Sequence, residues 1–270
     1  MHKFESWSDY LEFRHSVRHK ARYVFEDHVQ KFLQTVIATS EKRKSGLPTG
    51  NILWRAQLGD RWETIGVQGE EMEEQFPLPP TRMTPPMHSA REGRINPKGI
   101  PCLYLSNDQD TAMSEVRPWI GSHISVGQFK VLRDLTLIDC SVEHATRPIF
   151  HCPPEMHERA VWSHIDHAFS EPVSLEETTA DYVPTQILAE AFRQNGYDGI
   201  IYKSLLGKGF NVALFDIKAA EIVNCSLYKA ASLTFAFEQA GNPYWLNRPV
   251  QELSQSVKPD ASGSPPHGIP

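Results

Sequence analysis

Between residues 4 and 37 apolar side chains recur at helical spacing: Phe4, Trp7, Leu11, Val17, Val24, Phe25, Val29, Phe32, Leu33 and Val36. That period predicts one long or two shorter amphipathic helices, with Arg14, Arg18, Lys20 and Arg22 on the solvated face. The polar run from Ser40 to Gly50 reads as a linker. From Asn51 the pattern changes, and Ile52–Ala56 reads as a strand. Residues 68–99 are polar and proline-bearing and read as a long functional loop. Pro101–Ser106 is a second strand. Asn107 or Asp108 caps a short helix over Thr111–Arg117 that Pro118 stops. His123–Leu132 and Leu135–Asp139 read as strands, and 154–170 as a helix. A further helix opens at Tyr182-Val183-Pro184 and ends at Asn195-Gly196. The apolar runs 198–202 and 210–215 are strands, and Glu221–Leu227 is the last. Ser254 to Pro270, rich in Ser, Pro and Gly, reads as disordered.

A chain of 270 residues accommodates one main domain with extensions. The elements divide it into an N-terminal helical extension (1–46), a central domain (47–228) and a C-terminal extension (229–270). A formal net charge of −6 argues against a dedicated DNA-binding surface, which would show a basic excess. No apolar run is long enough to span a bilayer, and the N-terminus lacks the apolar core of a secretion signal. A cytoplasmic protein without a membrane or direct nucleic-acid partner is the expectation. Cys102, Cys140, Cys152 and Cys225 are scattered, and the histidines between 144 and 167 fit no common zinc spacing. The cysteines read as buried small hydrophobes, with no metal site.

The chemistry concentrates between Gly93 and Arg117. Arg94 stands in Gly93-Arg94-Ile95-Asn96-Pro97-Lys98-Gly99, flanked by glycines that let backbone approach a ligand. Its planar, permanently charged guanidinium suits a pyrophosphate, or else a neighbouring carboxylate. By strand alternation Tyr104 shares a face with Cys102 and Ser106, opposite Leu103 and Leu105. It offers a ring for stacking, or is a half-buried strand tyrosine. Glu115 offers a carboxylate to a developing sugar cation, or else favours its own helix dipole. Arg55, after Trp54 in a strand, is a second phosphate or ribose ligand, or an outward-facing residue. Ser204 ends one strand, where it touches a ligand or caps a turn, and Asn211 lies in the next.

Together these residues resemble the RES domain, a bacterial toxin family named for its arginine, glutamate and serine. Four blocks carry the resemblance: Leu53-Trp54-Arg55; Gly93-Arg94-Ile95-Asn96 through Tyr104; Thr111-Ala112-Met113-Ser114-Glu115; and Asp198 through Ser204 followed by Asn211-Val212-Ala213-Leu214-Phe215. The resemblance implies a mixed α/β fold similar to ADP-ribosyltransferase toxins, with mixed or antiparallel sheets flanked by helices. It implies NAD as substrate, with no metal, and an Xre-type helix-turn-helix antitoxin as partner. By motif position Arg94, Tyr104 and Glu115 form the core of the site. Ser204 is the family's serine, with Arg55, Asn96 and Asn211 as further NAD-binding candidates. The segment 57–93 is longer than a compact member requires, and the N-terminal helices are an addition.

The activity so implied is cleavage of the nicotinamide–ribose bond of NAD, by glycohydrolysis or phosphorolysis, inhibiting growth. A mono-ADP-ribosyltransferase is the alternative. Arginine-specific transferases commonly place a second acid two residues before the key glutamate, where this chain has Met113. A non-catalytic NAD- or partner-binding module is the third reading, and a homodimer a further expectation.

Overall fold

A computed structural model describes residues 2–67, 70–144, 147–171 and 179–234, with 236, 237, 239 and 241 beyond them. The chain divides into two compact units, Met1–Leu233 and Thr234–Pro270. The expected disorder from Ser254 lies outside the described residues.

Two helices open the chain, α1 (Asp9–His19) and α2 (Asp27–Ser40). Their apolar stripes supply Tyr10, Phe13, Val17, Val29, Phe32 and Val36 to one core. Phe13 stacks on Phe32 with ring centroids 4.6 Å apart. The expected linker holds more structure than its composition suggested: a 3₁₀ turn (Glu41–Arg43) and β1 (Lys44–Leu47). This strand lies at the sheet edge, where four residues with Lys, Ser and Gly can pair without apolar alternation. β2 (Ile52–Leu58) follows. A hairpin follows, β3 (Arg61–Val67) with β4 (Glu70–Phe76), so the expected loop over 68–99 opens with a strand, and the short α3 (Pro80–Met83) also lies within it. Glutamates depleted in ordinary strands make β4 hard to recognise.

The remaining elements are β5 (Leu103–Ser106), α4 (Gln109–Glu115), β6 (His123–Val131), β7 (Leu135–Cys140), α5 (His157–Ser170), α6 (Val183–Gln194), β8 (Gly199–Lys203), β9 (Phe210–Leu214) and β10 (Ala220–Lys229). Eight strands form one mixed sheet in the order β1-β7-β8-β9-β5-β2-β6-β10. Within it β7 and β8 are parallel, and the crossover between them contains α5 and α6, as a parallel connection requires. The result is a mixed α/β fold, a large mixed sheet flanked by helices.

Strand alternation assigns the two faces. Cys102, Ile138, Ile200 and Ala213 meet α1, α2, α5 and α6 on one side. Leu103, Leu105, Leu137, Val212 and Leu214 point the other way and pack with Met83 of α3 and Phe129. On the helical side Arg43 binds both carboxylate oxygens of the fully buried Asp166 at 3.0 Å and stacks 4.2 Å from the Trp162 ring.

Candidate active site

One rung of the sheet floors the site. Tyr202 of β8 pairs with Asn211 of β9, Asn211 with Ser106 of β5, and Ser106 with Trp54 of β2. β2 and β5 share that single bridge. Where they part lies a cavity of about 250 Å³, lined by Trp54, Arg55, Tyr104, Ser106, Glu115 and Asn211 among others. A second cavity of about 270 Å³ is lined by Arg94, Glu115, Arg117, Glu171, Tyr202 and Asn211. Glu115, Tyr202 and Asn211 border both, so the carboxylate stands where the two meet.

Helix α4 delivers that carboxylate. Asp108 caps it, its side chain accepting from the Thr111 amide at 2.8 Å and from the Thr111 hydroxyl at 2.6 Å. The β8–β9 loop docks on this cap, with Gly209 donating its amide to Thr111 Oγ1 at 2.9 Å. A β-carbon on Gly209 would fall 1.9 Å from Asp108 Oδ2, so a side chain there would displace the loop. That loop begins at Ser204, which lies 2 % exposed. Its hydroxyl donates to Glu115 Oε1 at 2.6 Å and accepts the amides of Leu206 and Gly207. Ser204 therefore caps a turn and touches the carboxylate as well. Asn211 Nδ2 donates to the same Oε1 at 2.7 Å, while its Oδ1 accepts from Ser106 Oγ at 2.8 Å. Two donors converge on one carboxylate oxygen, and Oε2 has no protein donor among the described residues. A carboxyl group so held keeps one orientation, with Oε2 turned away from both donors.

The Arg94 loop is braced from both sides. Thr185 Oγ1 donates to the Arg94 carbonyl at 2.7 Å, and Gln186 Nε2 to those of Gly93 and Asn96. Asn96, expected as an NAD ligand, is 4 % exposed and spends its amide inside the loop. Its Nδ2 donates to the carbonyls of Arg91, Pro97 and Ile100, and its Oδ1 accepts the Tyr104 hydroxyl at 2.7 Å. In this structure it positions the loop and lines neither of the two cavities. The Tyr104 hydroxyl also accepts the Ile95 amide at 3.0 Å, so it anchors the loop, and what remains for a ligand is the ring. Among the described residues Arg94 meets no carboxylate. Its two terminal nitrogens donate to the carbonyls of Ala168 and Glu171 at the end of α5.

Arg55 has buried nitrogens without a partner among the described residues. Its Nε and Nη1 are sealed from solvent and unbonded, and no carboxylate lies within ion-pair distance among the described residues. Burial lowers its pKa from the usual value. A buried guanidinium lacking a counter-charge favours an incoming anion. Burial also holds Tyr104 and Tyr202 well above the ordinary phenol range, for Tyr202 with the Glu115 charge adding to the effect, so both remain neutral.

Sequence reasoning did not assign roles to Ser106, Tyr202, Thr185, Gln186 or Arg117. Alternation could have found the first two, since Ser106 shares a face with Tyr104 and Tyr202 with Ser204. Among the described residues no group of three or more His, Cys, Asp or Glu side chains could hold a metal ion. No described helix is long and apolar enough to cross a membrane.

Among solved structures, the M. tuberculosis MbcT–MbcA toxin–antitoxin complex contains a chain similar to this one at 13% identity. The match covers 73% of this chain and 93% of that one, with a TM-score of 0.39. No curated protein matches the chain. The RES domain matches residues 70–238, which include Arg94, Tyr104, Glu115, Ser204 and Asn211 and begin after Arg55. The chain belongs to the RES domain family.

Proposed function

We propose that this protein is a toxin that consumes NAD by cleaving the bond between nicotinamide and ribose. The observation that supports this most is the Glu115 carboxylate, fixed by Ser204 and Asn211 at the junction of two arginine-bearing cavities. Breaking a glycosidic bond develops positive charge on the sugar, and a preorganised carboxylate stabilises it at the moment it forms. The electron pair of the breaking C–N bond goes to the pyridinium ring, so nicotinamide leaves neutral. An acceptor oxygen then bonds the ribose carbon and loses its proton. Oε2 of Glu115 is the atom available to the ribose. The Tyr104 and Tyr202 rings, kept neutral by burial, offer apolar surface to the leaving group. Arg94 and Arg55 supply positive charge for the pyrophosphate.

Incubation of the purified protein with NAD should release free nicotinamide, and Glu115→Ala should abolish release while leaving the fold intact. Label from NAD appearing on lysate proteins would instead favour transfer to a protein acceptor. An antitoxin partner fits the same proposal, since the similar complex is that of a toxin with its antitoxin. Covering the two cavities is the simplest way for such a partner to silence the site.

A further inference from the structure

The N-terminal helices reach the Arg94 side of the site through an ion pair. Arg18, in the last turn of α1, pairs a terminal nitrogen with Asp181, and its Nε is sealed from solvent. The two side chains are 28 % and 21 % exposed, so water screens the pair only in part. Asp181 closes a 3₁₀ turn, Thr179–Asp181, and Tyr182 follows it as the residue that opens α6. The Tyr182 ring centre lies 5.9 Å from the Arg94 guanidinium carbon, within cation–π reach. The Tyr182 and Arg94 carbonyls lie 3.0 and 2.7 Å from the same Thr185 hydroxyl. The segment that α1 holds is therefore the one on which Arg94 rests.

Packing gives the same neighbourhood. Three elements meet at Arg94: its own loop, the end of α5 that accepts its protons, and the start of α6. Each adds an adjacent side chain, Ile95, Phe169 or Val183, to the core that Tyr10, Phe13 and Val17 of α1 share. Burial raises the Tyr10 pKa above the ordinary phenol range, and Arg14, Glu171, Arg94 and Arg18 all lie close enough to bias it. Apolar packing brings α1 to this corner, and the ion pair adds a directional contact to it.

We infer that Arg18 is a positioning residue for Arg94: through Asp181 and Tyr182 the N-terminal extension holds the guanidinium that receives the pyrophosphate of the dinucleotide. Receipt of that pyrophosphate rests on the proposed use of NAD, whereas the positioning does not.

The test compares the wild type with Arg18→Ala, Arg18→Lys, Tyr182→Leu and the double variant Arg18→Ala/Tyr182→Leu. Two quantities are read: the Arg94 Nε–Hε magnetic resonance signal, assigned by its loss in Arg94→Lys, and ADP-ribose affinity by calorimetry. Arg18→Ala and Tyr182→Leu should each shift that signal and weaken ADP-ribose by about threefold to thirtyfold. Arg18→Lys keeps the charge and should stay within about twofold of the wild type. Because Arg18 acts through Tyr182, the double variant should bind no more weakly than Tyr182→Leu alone. Loss of a partly exposed pair should lower the melting temperature by no more than about 4 °C, which separates weaker binding from unfolding. An unmoved Arg94 signal in Arg18→Ala would overturn the inference. So would Arg18→Ala affinity within about twofold of a wild type that binds ADP-ribose, Arg18→Lys as weak as Arg18→Ala, or effects that multiply in the double variant. A moving signal in a protein that neither binds ADP-ribose nor releases nicotinamide would instead overturn the proposed function and leave the positioning intact.

Discussion

Ser106→Ala isolates the hydrogen-bond chain behind the Glu115 carboxylate. The wild-type hydroxyl donates to Asn211 Oδ1 at 2.8 Å, and the two residues are 3 % and 4 % exposed. Alanine leaves that oxygen without its donor, a loss of about 1–3 kcal/mol for a buried acceptor. The neighbouring cavity admits water, which favours the lower half of that range. At roughly 2–4 °C per kcal/mol, the melting temperature should fall by about 2–8 °C. Freed of Ser106, the Asn211 amide no longer holds Glu115 Oε1 in one place, and NAD turnover should fall by about tenfold. The decisive assay is a double-mutant cycle of Ser106→Ala with Asn211→Ala in urea unfolding. Coupling of about 0.5–1.5 kcal/mol is expected, because each single change already removes the shared bond. Effects additive to within about 0.3 kcal/mol would refute the chain, as would failure of Ser106→Thr to restore turnover.

Gly93→Ala should destabilise by about 1–3 kcal/mol in urea unfolding, since the new β-carbon would lie 2.7 Å from the Tyr104 hydroxyl. The penalty should shrink in a Tyr104→Phe background, where that oxygen is gone. His164 stacks beside Tyr10 with its Nε2 buried and unpartnered, and burial lowers its pKa. Its neutral form is favoured on folding, so that stability is fully present above about pH 6.5 and is lost as pH falls through the folded pKa. Melting curves of His164→Phe from pH 8 to 5 should therefore fall less steeply with acid than those of the wild type. Arg43→Met strands the Asp166 carboxylate, which burial already pushes up to about 6 against the opposing pull of Arg43. It should cost about 3–5 kcal/mol at pH 8. The cost should shrink toward pH 5, where Asp166 can take up a proton and lose the buried charge.

The fold's helices and central strands were legible because each has one apolar side. Leu103 and Leu105 against Cys102 and Tyr104 assign the two faces of β5 from alternation alone. Asp108 announces α4 as a capping residue three positions before Thr111. β1 and the β3–β4 hairpin were not legible, because an edge strand and a glutamate-rich ribbon need no apolar alternation. Within the site, Arg94 could be singled out but its partners could not. They are main-chain carbonyls 74 and 77 residues downstream, which no local pattern encodes. The role of Asn96 was within reach, since its Nδ2 bonds stay within five residues. An asparagine between Arg94 and two turn-forming residues, Pro97 and Gly99, is placed to organise its own loop before it serves a ligand.

The central claim is that the carboxylate held by Ser204 and Asn211 stabilises a ribosyl cation formed from NAD. Glu115→Gln tests it most directly, because the amide keeps the size and an oxygen for those two donors while removing the charge. Nicotinamide released from NAD by purified protein is the measurement. A fall of about 100-fold or more, with melting temperature and ADP-ribose affinity near wild type, is the predicted result. Turnover within a few-fold of the wild type would contradict it.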